Sequence, residues 1–298
     1  MGDLTQRNVG PARLREMLAG PEPVLAPGAY DGLTARLIEK AGFEAVYMTG
    51  FGTAASVLGR PDIGLLSFSE MVDNARRIAQ AVEVPVIADA DDGYGNPINV
   101  IRTTREYEAA GVSAIHIEDQ MSPKKCGHME GKQVIDAGEM VEKVHAAVEA
   151  RHSEDFLVIA RTDARAVEGM EEALERARRY REAGADALFV EAPQSEEEVV
   201  AVAQAFPDVP LLFNWLEGGE TPPVPLERLK ELGFDLIIFP LSAMLAATRS
   251  VAAVLAYIRA SGTPAPITDQ LLPFEEFTDF IGMPEIRELE ERFEDQEV

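Results

Sequence analysis

The sequence predicts a single α/β domain of the (β/α)8, or TIM, barrel class. A pattern of a helix end, a glycine and a short apolar strand occurs four times, at 39–50, 108–119, 181–192 and 230–240. Glycine commonly ends a helix because it adopts the left-handed backbone conformation without strain. Near-continuous apolar strands that alternate with amphipathic helices indicate a parallel sheet covered by helices. The chain contains eight such strands and eight such helices, the number that closes this barrel.

The elements follow one another in a regular order along the chain. Besides the strands of the repeated pattern, apolar runs predict strands at 24–27, 84–88, 156–160 and 209–213. Ser69 and Ser195 are expected to begin their helices, because serine caps helix N-termini, and three glutamates follow Ser195. Helices are predicted at 32–40, 69–82, 97–110, 137–151, 170–182, 195–206, 225–232 and 242–261.

Two terminal segments lie outside the barrel but within the single predicted domain, 1–298. The first, 1–20, contains a predicted helix at 11–19, and the second, 263–298, contains a charged helix at 283–293. Regularly spaced apolar residues indicate that the second segment packs on something, such as another subunit. A doubly wound open sheet is the alternative fold. It more often carries a glycine-rich phosphate turn, and Gly50-Phe51-Gly52 is too short to be one.

The chain is strongly acidic, since 27 Lys and Arg residues against 52 Asp and Glu residues give a net charge of −25. This balance disfavours a nucleic acid or an anionic membrane as partner, because both need a basic surface. Such an acidic surface has two interpretations: the protein is adapted to high salt, or it is an ordinary acidic enzyme. We expect a cytoplasmic protein, because no apolar run approaches the ~20 residues of a membrane helix and the N-terminus lacks a signal-peptide core.

Polar side chains with chemical uses follow nearly every predicted strand. The active site of a (β/α)8 barrel lies at the carboxyl ends of its strands. Arginine and glutamate would be rare choices at a strand's last residue if they only capped the next helix. The distribution therefore predicts an enzyme, with candidate residues Tyr47, Thr49, Gly50, Asp89, Asp91, Glu118, Arg161, Glu191 and Asn214.

Three of these residues predict a metal site. Asp89 and Asp91 lie two residues apart, so an extended backbone would place both carboxylates on one side, near Glu118 of the neighbouring strand. Oxygen ligands without paired histidines favour Mg²⁺ or Mn²⁺, with waters and substrate completing the shell. The alternative is that Asp91 and Asp92 only cap the next helix or shape a turn.

The chain's one cysteine lies in a loop that follows the predicted strand ending at Glu118. Cys126 is preceded by Lys124 and Lys125 and followed by Gly127 and His128. A thiol among cations ionises more easily, so the loop is a candidate for catalysis. The alternative is a surface loop with an incidental thiol.

Arg161 and His116 each admit two interpretations. Arg161 ends an apolar strand, where its planar fork suits either a buried ion pair or a clamp for a substrate carboxylate. The second interpretation, with Asn214 as a further donor, predicts a small polycarboxylate or phosphonate substrate. His116 is either a core histidine or a site residue.

The motifs DADDGYGN, HIEDQ, KKCGH, ARTDA and FPLSA resemble those of the isocitrate lyase / phosphoenolpyruvate mutase superfamily. The resemblance covers about 25–257, and the short chain is most similar to the 2-methylisocitrate lyase branch. It implies a (β/α)8 barrel, a Mg²⁺ cofactor and a homotetramer whose eighth helix is exchanged between subunits.

The resemblance also implies a role for each matching residue. Asp89 and Asp91 match the metal-site acids, with Glu118 and Asp62 in the surrounding shell. Thr49, Gly50 and Phe51 stand where the family has a Ser-Gly-Gly that holds a 2-oxoacid carboxylate. The remaining matches are Tyr47 beside that triplet, the catalytic cysteine Cys126 with Gly127 and His128, and the substrate-binding residues Arg161, Glu191 and Asn214.

These matches lead us to expect cleavage of 2-methylisocitrate to succinate and pyruvate. Cys126 is the expected general acid, and Tyr47 or a carboxylate acting through water is the expected base. The Phe51 substitution and the loop ending HMEGK depart from the usual 2-methylisocitrate lyase pattern. The alternatives are cleavage of isocitrate or 2,3-dimethylmalate, oxaloacetate decarboxylation, carboxyphosphonoenolpyruvate mutase chemistry, and a non-catalytic metal-binding barrel.

Overall fold

A computed structural model describes residues 10–294 and contains a barrel of eight parallel strands. The strands are β1 Val24–Ala29, β2 Val46–Met48, β3 Val86–Asp89, β4 Ala114–Glu118, β5 Leu157–Thr162, β6 Ala187–Val190, β7 Leu212–Asn214 and β8 Leu236–Phe239. The strand β1 pairs with both β2 and β8, and a single bridge between Leu188 and Leu211 links β6 to β7. The predicted barrel is therefore confirmed and the open sheet is wrong.

The helices of the described residues follow the predicted order, and four of them have the predicted bounds. Ser195 caps its helix as expected, but Ser69 does not begin one. The capping residue is Ser67, which forms a reciprocal capping box with Glu70. The helices are α1 Gly10–Leu18, α2 Gly32–Lys40, α3 Gly50–Leu58, α4 Phe68–Ala81, α5 Pro97–Ala110, α6 Ala137–Ala150, α7 Ala164–Glu168, α8 Met170–Glu182, α9 Glu196–Ala205, α10 Leu226–Leu232, α11 Ser242–Ser261, α12 Phe274–Phe280 and α13 Met283–Glu294, with a 3-10 turn at Ala265–Gln270.

Two apolar layers hold the barrel together. One lies between the outer face of the strands and the surrounding helices, and the other fills the barrel interior. The helix α1 closes the bottom of the interior with Leu14 and Leu18, which are both buried. Because the bottom is sealed, access to the interior is left to the opposite end, where the strands terminate.

The helix α3 was not predicted, and it lies directly after β2 at the carboxyl end of the barrel. Its sequence, GFGTAASVL, contains two glycines and small residues, which weakens its helical signal. Thr49 caps it by accepting a hydrogen bond from the Gly52 amide at 3.1 Å. The helix therefore directs its N-terminus toward the strand ends.

The helix α11 extends away from the barrel with no buried residue. Leu245, Val251 and Leu255 are each about half exposed. By length and composition alone α11 could cross a membrane, which is weak evidence for a span but corrects the expectation that no segment is apolar enough. Exchange of this helix between subunits stays a prediction.

The C-terminal segment packs partly on its own chain. Phe280 is buried against α2, where the Lys40 ammonium lies 4.9 Å from its ring centre and Arg36 Nη1 lies 3.4 Å from its carbonyl oxygen. By contrast, Phe274 and Phe293 are exposed. Residues 1–9 and 295–298 of the predicted domain lie outside the described residues.

Candidate active site

The carboxyl ends of the strands surround a small cleft with a volume of about 40 Å³. Most of the predicted site residues line it; Gly50, Asp91 and Glu118 do not, although all three lie beside it. Asp91 instead faces an adjoining cavity of about 270 Å³, which it shares with Lys124. The cleft is lined by Tyr47, Thr49, Phe51, Asp62, Asp89, Lys124, Cys126, Gly127, His128, Arg161, Glu191, Asn214, Leu216, Pro240 and Leu241.

The acids of the predicted metal site are held by a turn. The strand β3 ends at Asp89, and Asp91 has a positive φ of 48°, so the argument from an extended backbone is wrong. The Asp91 amide donates to Asp89 Oδ1 at 2.9 Å. The Lys124 ammonium lies 2.6 Å from both Asp62 Oδ2 and Asp91 Oδ1. Three acids and one lysine thus form a buried, charged cluster.

Glu118 is fully buried at the end of β4, and neither of its carboxylate oxygens has a hydrogen-bond partner. Burial raises the pKa of Glu118 well above its usual value. Burial also raises the pKa of Asp91 to about 7; the Lys124 ammonium opposes this second shift and the Asp89 carboxylate reinforces it. Within residues 10–294, no three acid, histidine or cysteine groups converge closely enough to enclose a metal ion by themselves. The Glu118 oxygens, which lack a hydrogen-bond partner although one is ion-paired with Arg161, nevertheless fit a hard cation such as Mg²⁺, which commonly keeps waters in its shell.

A buried chain of side chains crosses the top of the barrel interior. Tyr47 Oη lies 2.8 Å from His116 Nε2, which in turn lies 3.7 Å from Asp89 Oδ1. Burial raises the pKa of Tyr47 well above its usual value and lowers the pKa of His116 to about 4. Both side chains are therefore neutral near pH 7. Tyr47 is a hydrogen-bond partner in this arrangement and a poor general base.

The N-terminus of α3 lies against the acids. A Cβ atom on Gly50 would lie 2.3 Å from Asp89 Oδ2, so only glycine permits this approach. The first amides of a helix have no partner within the helix, and they favour anionic groups. The Thr49-Gly50-Phe51 triplet is therefore placed to hold a carboxylate, with the Phe51 ring lining the cleft.

The loop that carries Cys126 lies over this cleft. The Cys126 amide donates to the Asp62 carbonyl at 3.2 Å. Burial raises the pKa of Cys126 to about 11, so the expectation of an easily ionised thiol is wrong. The nearby ammonium groups have other partners: Lys124 pairs with acids, and Lys125 donates to the Gly131 carbonyl at 2.9 Å. The thiol therefore keeps its proton near neutral pH.

His128 ties the loop to the barrel. Its Nε2 lies 2.8 Å from Glu191 Oε1, and its Nδ1 accepts a hydrogen bond from the Glu220 amide at 3.0 Å. Both ring nitrogens of His128 therefore have partners in the barrel or its neighbouring loop. Asn214 Nδ2 also donates to Glu191 Oε1, at 3.1 Å. Gly127 fits so closely that an added Cβ would lie 2.5 Å from Arg161 Nη2.

Arg161 forms the buried ion pair of its first interpretation and also lines the cleft, where a clamp for a substrate carboxylate stays a prediction. Its Nε and Nη2 atoms donate to the two oxygens of Asp163 at 2.9 and 3.1 Å. Nε also lies 3.3 Å from Glu118 Oε2. The guanidinium is stacked 5.0 Å from the ring centre of Phe189. These contacts fix the direction in which Arg161 presents its charge.

Sequence reasoning assigned no role to three residues that support the site, Asp119, Lys132 and Asp163. Lys132 contacts the Gly127 carbonyl and lies 3.1 Å from Asp163 Oδ1, so it joins the end of the loop to β5. Asp119 accepts hydrogen bonds from the Asp163 amide at 2.8 Å and the Tyr180 hydroxyl at 2.7 Å. Asp119 and Asp163 stood within quoted motifs, but a motif does not show which acid faces a substrate and which faces a neighbouring residue.

A (β/α)8 barrel with buried acids at its strand ends and a thiol-bearing loop over them defines the class of barrel enzymes whose active site lies at the carboxyl ends of the strands. Within that class, the chain belongs to the family described as phosphoenolpyruvate phosphomutase, whose model matches residues 14–259. This places it in the phosphoenolpyruvate mutase / isocitrate lyase superfamily, as the motifs predicted.

Curated relatives cover nearly the whole chain. The chain is 47% identical to 2,3-dimethylmalate lyase of Eubacterium barkeri, over 95% of this chain and 97% of that protein. It is 46% identical to 2-methylisocitrate lyase of Aeropyrum pernix, over 90% of this chain and 86% of that protein. Two lyases with different substrates are thus similarly related to this chain.

Solved structures show the same fold. A crystal structure of 2,3-dimethylmalate lyase aligns with a TM-score of 0.91 at 42% identity and covers 95% of each chain. A phosphonopyruvate hydrolase in complex with oxalate and Mg²⁺ aligns with a TM-score of 0.87 at 33% identity, over 96% of this chain and 99% of that one.

Proposed function

We propose that the chain is a Mg²⁺-dependent carbon–carbon lyase that releases pyruvate from a 2-methyl-2-hydroxy polycarboxylate. The candidate substrates are 2-methylisocitrate, as expected from the sequence, and 2,3-dimethylmalate. The observation that carries the proposal is the position of the Cys126 thiol, which lines the cleft together with Asp89 and Arg161. The relatives' activities and the family membership support the same reaction class.

The residues fit a Mg²⁺ ion at the acidic end of the cleft. Asp89 and Asp91 would hold it, with Glu118 and Asp62 around it. When bound there, Mg²⁺ supplies Lewis acidity that lowers the pKa of a substrate hydroxyl. The neighbour that carries oxalate and Mg²⁺ supports this assignment.

The carboxylate at C1 of the substrate has two neighbours of suitable chemistry. The N-terminus of α3 offers backbone amides at Gly50 and Phe51, and Arg161 offers positive charge across the cleft. The proton of the C2 hydroxyl needs an acceptor. Because the pKa of Tyr47 is raised well above its usual value, a carboxylate acting through water is the better candidate of the two expected bases.

Cleavage leaves the electron pair of the broken C2–C3 bond on C3, beside the C3 carboxylate, while C2 becomes the ketone carbon of pyruvate. Cys126 then donates its thiol proton to C3 as the general acid. A thiol whose pKa is about 11 carries this proton at neutral pH, whereas a thiolate would not. The closed loop excludes water that would otherwise compete for the carbanion.

The test is an assay of wild-type protein and the variant Cys126→Ser with Mg²⁺ and each candidate acid, with products identified by NMR. We expect pyruvate from the wild type and at least ~100-fold slower release from the variant. Mg²⁺ and pyruvate should still raise the melting temperature of both proteins, since neither needs the thiol to bind. Lys125→Met serves as the control, because the Lys125 ammonium bonds loop carbonyls outside the cleft. Full turnover by Cys126→Ser would refute the assigned role.

Assembly through α11 is also part of the proposal. An apolar 20-residue helix with no buried residue is costly to leave in water, and exchange with a second chain would cover it. We propose a cytoplasmic homotetramer built from two helix-exchanged dimers. Light scattering on the wild type and on Leu255→Glu tests it, and a monomeric wild type would refute it.

A further inference from the structure

We propose that the cleft selects a 2-hydroxy dicarboxylate with a short alkyl group at C3 and rejects a tricarboxylate. This inference rests on the proposed lyase function and names its substrate class. The two candidate substrates share the C1 carboxylate, the C2 hydroxyl and methyl groups, and the C3 carboxylate. They differ only in the remaining group on C3, which is a methyl in 2,3-dimethylmalate and a carboxymethyl in 2-methylisocitrate.

The first argument is that the cationic side chains of the cleft are already paired with acidic side chains of the protein. Among the side chains that line it, only Lys124 and Arg161 carry permanent positive charge. Lys124 lies between Asp62 and Asp91, at 2.6 Å from each. Arg161 donates from Nε and Nη2 to Asp163. Its remaining N–H groups suffice for one substrate carboxylate.

His128 does not offer a free donor to a further carboxylate. Its two ring nitrogens are already used, one by the Glu220 amide and one by Glu191. Glu191 itself is a buried carboxylate in the cleft wall. Its pKa is lowered, against the effect of burial, by Arg161 and His128, so it stays ionised and repels another anion.

The second argument comes from an apolar wall formed by Phe51, Leu216, Pro240 and Leu241, which all line the cleft. Leu216 begins a turn closed by the hydrogen bond from the Gly219 amide to its carbonyl, at 3.2 Å. Gly219 in turn lies against the His128 ring. The wall therefore borders the loop that carries Cys126, the residue that protonates C3. The substituents of C3 have to be accommodated in this part of the cleft.

A methyl group against this wall replaces water at no polar cost. A third carboxylate placed there would lose its hydration without gaining a partner, which is among the most expensive events in a protein interior. A site without a matching polar partner discriminates strongly against a charged substituent. We therefore expect kcat/KM for 2,3-dimethylmalate to exceed that for 2-methylisocitrate by at least ~100-fold.

The experiment measures kcat/KM for both acids with the full-length enzyme and Mg²⁺, coupling pyruvate to NADH oxidation by lactate dehydrogenase. The variant Leu216→Arg adds a cation to the wall, and it should shift the ratio of the two values toward 2-methylisocitrate by at least ~10-fold. Leu226→Arg makes the same change on the exposed start of α10 and should leave the ratio unchanged. Binding of each acid to Cys126→Ser, measured by calorimetry, gives the same comparison without turnover.

The outcomes distinguish failure of the substrate preference from failure of the lyase function itself. A wild-type preference for 2,3-dimethylmalate that Leu216→Arg weakens supports the inference. Equal or better turnover of 2-methylisocitrate overturns the inference and leaves the lyase function standing. Absence of pyruvate from both acids, with no binding of either to Cys126→Ser, overturns the lyase function and the inference with it.

Discussion

Replacing Gly127 by alanine tests whether the closed loop is the catalytic state. The added Cβ would lie 2.5 Å from Arg161 Nη2 and 2.6 Å from Glu191 Cγ and Oε1, where about 3.4 Å or more is ordinary contact. Neither neighbour can move freely, because Arg161 is fixed by Asp163 and Glu191 by His128 and Asn214. The loop must therefore retreat by about 1 Å or break one of these contacts.

The clash raises the free energy of the closed state. Overpacking a fitted site costs about 1–3 kcal/mol, and weakening a hydrogen bond to a charged group adds about 1–2 kcal/mol. Together, about 2–5 kcal/mol predicts a fall in kcat/KM of roughly 30- to 5,000-fold. Pyruvate release measures that fall, and limited trypsinolysis at Lys124, Lys125 and Lys132 should become faster as the loop opens.

The control for this prediction is Glu130→Ala, a change in an exposed side chain of the same loop. It should keep kcat/KM within about twofold, since surface substitutions away from special contacts have small effects. The melting temperature of Gly127→Ala should match the wild type, because the loop contributes little to the barrel core. A Gly127→Ala enzyme within threefold of wild-type kcat/KM would refute the reasoning.

Two further predictions concern charge. Because burial raises the pKa of Cys126 to about 11, against about 8.5 for a free cysteine, iodoacetamide at pH 7.5 should modify the native thiol roughly two orders of magnitude more slowly than the urea-unfolded thiol. The modification rate of the native thiol should rise with pH until about pH 11. Between about pH 8.5 and 11 the raised pKa lowers the folding stability, since the unfolded chain releases this proton first. Equal modification rates of the native and unfolded thiols at pH 7.5 would contradict the burial argument. The net charge of −25 predicts that NaCl between 0.1 and 2 M raises the melting temperature by screening repulsion. A melting temperature indifferent to salt would show that the acidity is not an adaptation to it.

The fold was predictable because its signal is local and repeated. The glycines 42, 111, 184 and 233 all have positive φ at or just after helix ends, as the pattern required. Polar residues after apolar strands were also correctly assigned to one end of the barrel, since parallel strands share a direction. The helix α3 was missed because its small residues have little helical preference, although its N-terminus faces the site.

What could not be predicted depends on partners distant in sequence. The raised pKa of Cys126 follows from burial of its loop against residues distant in sequence, such as Asp62, whose carbonyl accepts a hydrogen bond from the Cys126 amide at 3.2 Å. Side-chain alternation along an extended backbone would place Asp89 and Asp91 on one side, but the positive φ of Asp91 forms a turn instead. The apolar pattern of α11 matched a barrel helix, but periodicity does not show whether such a face packs on its own barrel or on another.

Asp163 has two cationic partners that belong to different parts of the machinery. One carboxylate oxygen lies 3.1 Å from Lys132, at the end of the loop that carries Cys126, and both oxygens accept hydrogen bonds from Arg161 in the barrel wall. If the loop were to lift, Lys132 would leave, and Arg161 alone would face the charge of Asp163. With the loop in place that charge is shared, which leaves Arg161 freer to attract an anion. Loop position and substrate attraction would thus be coupled through a single carboxylate.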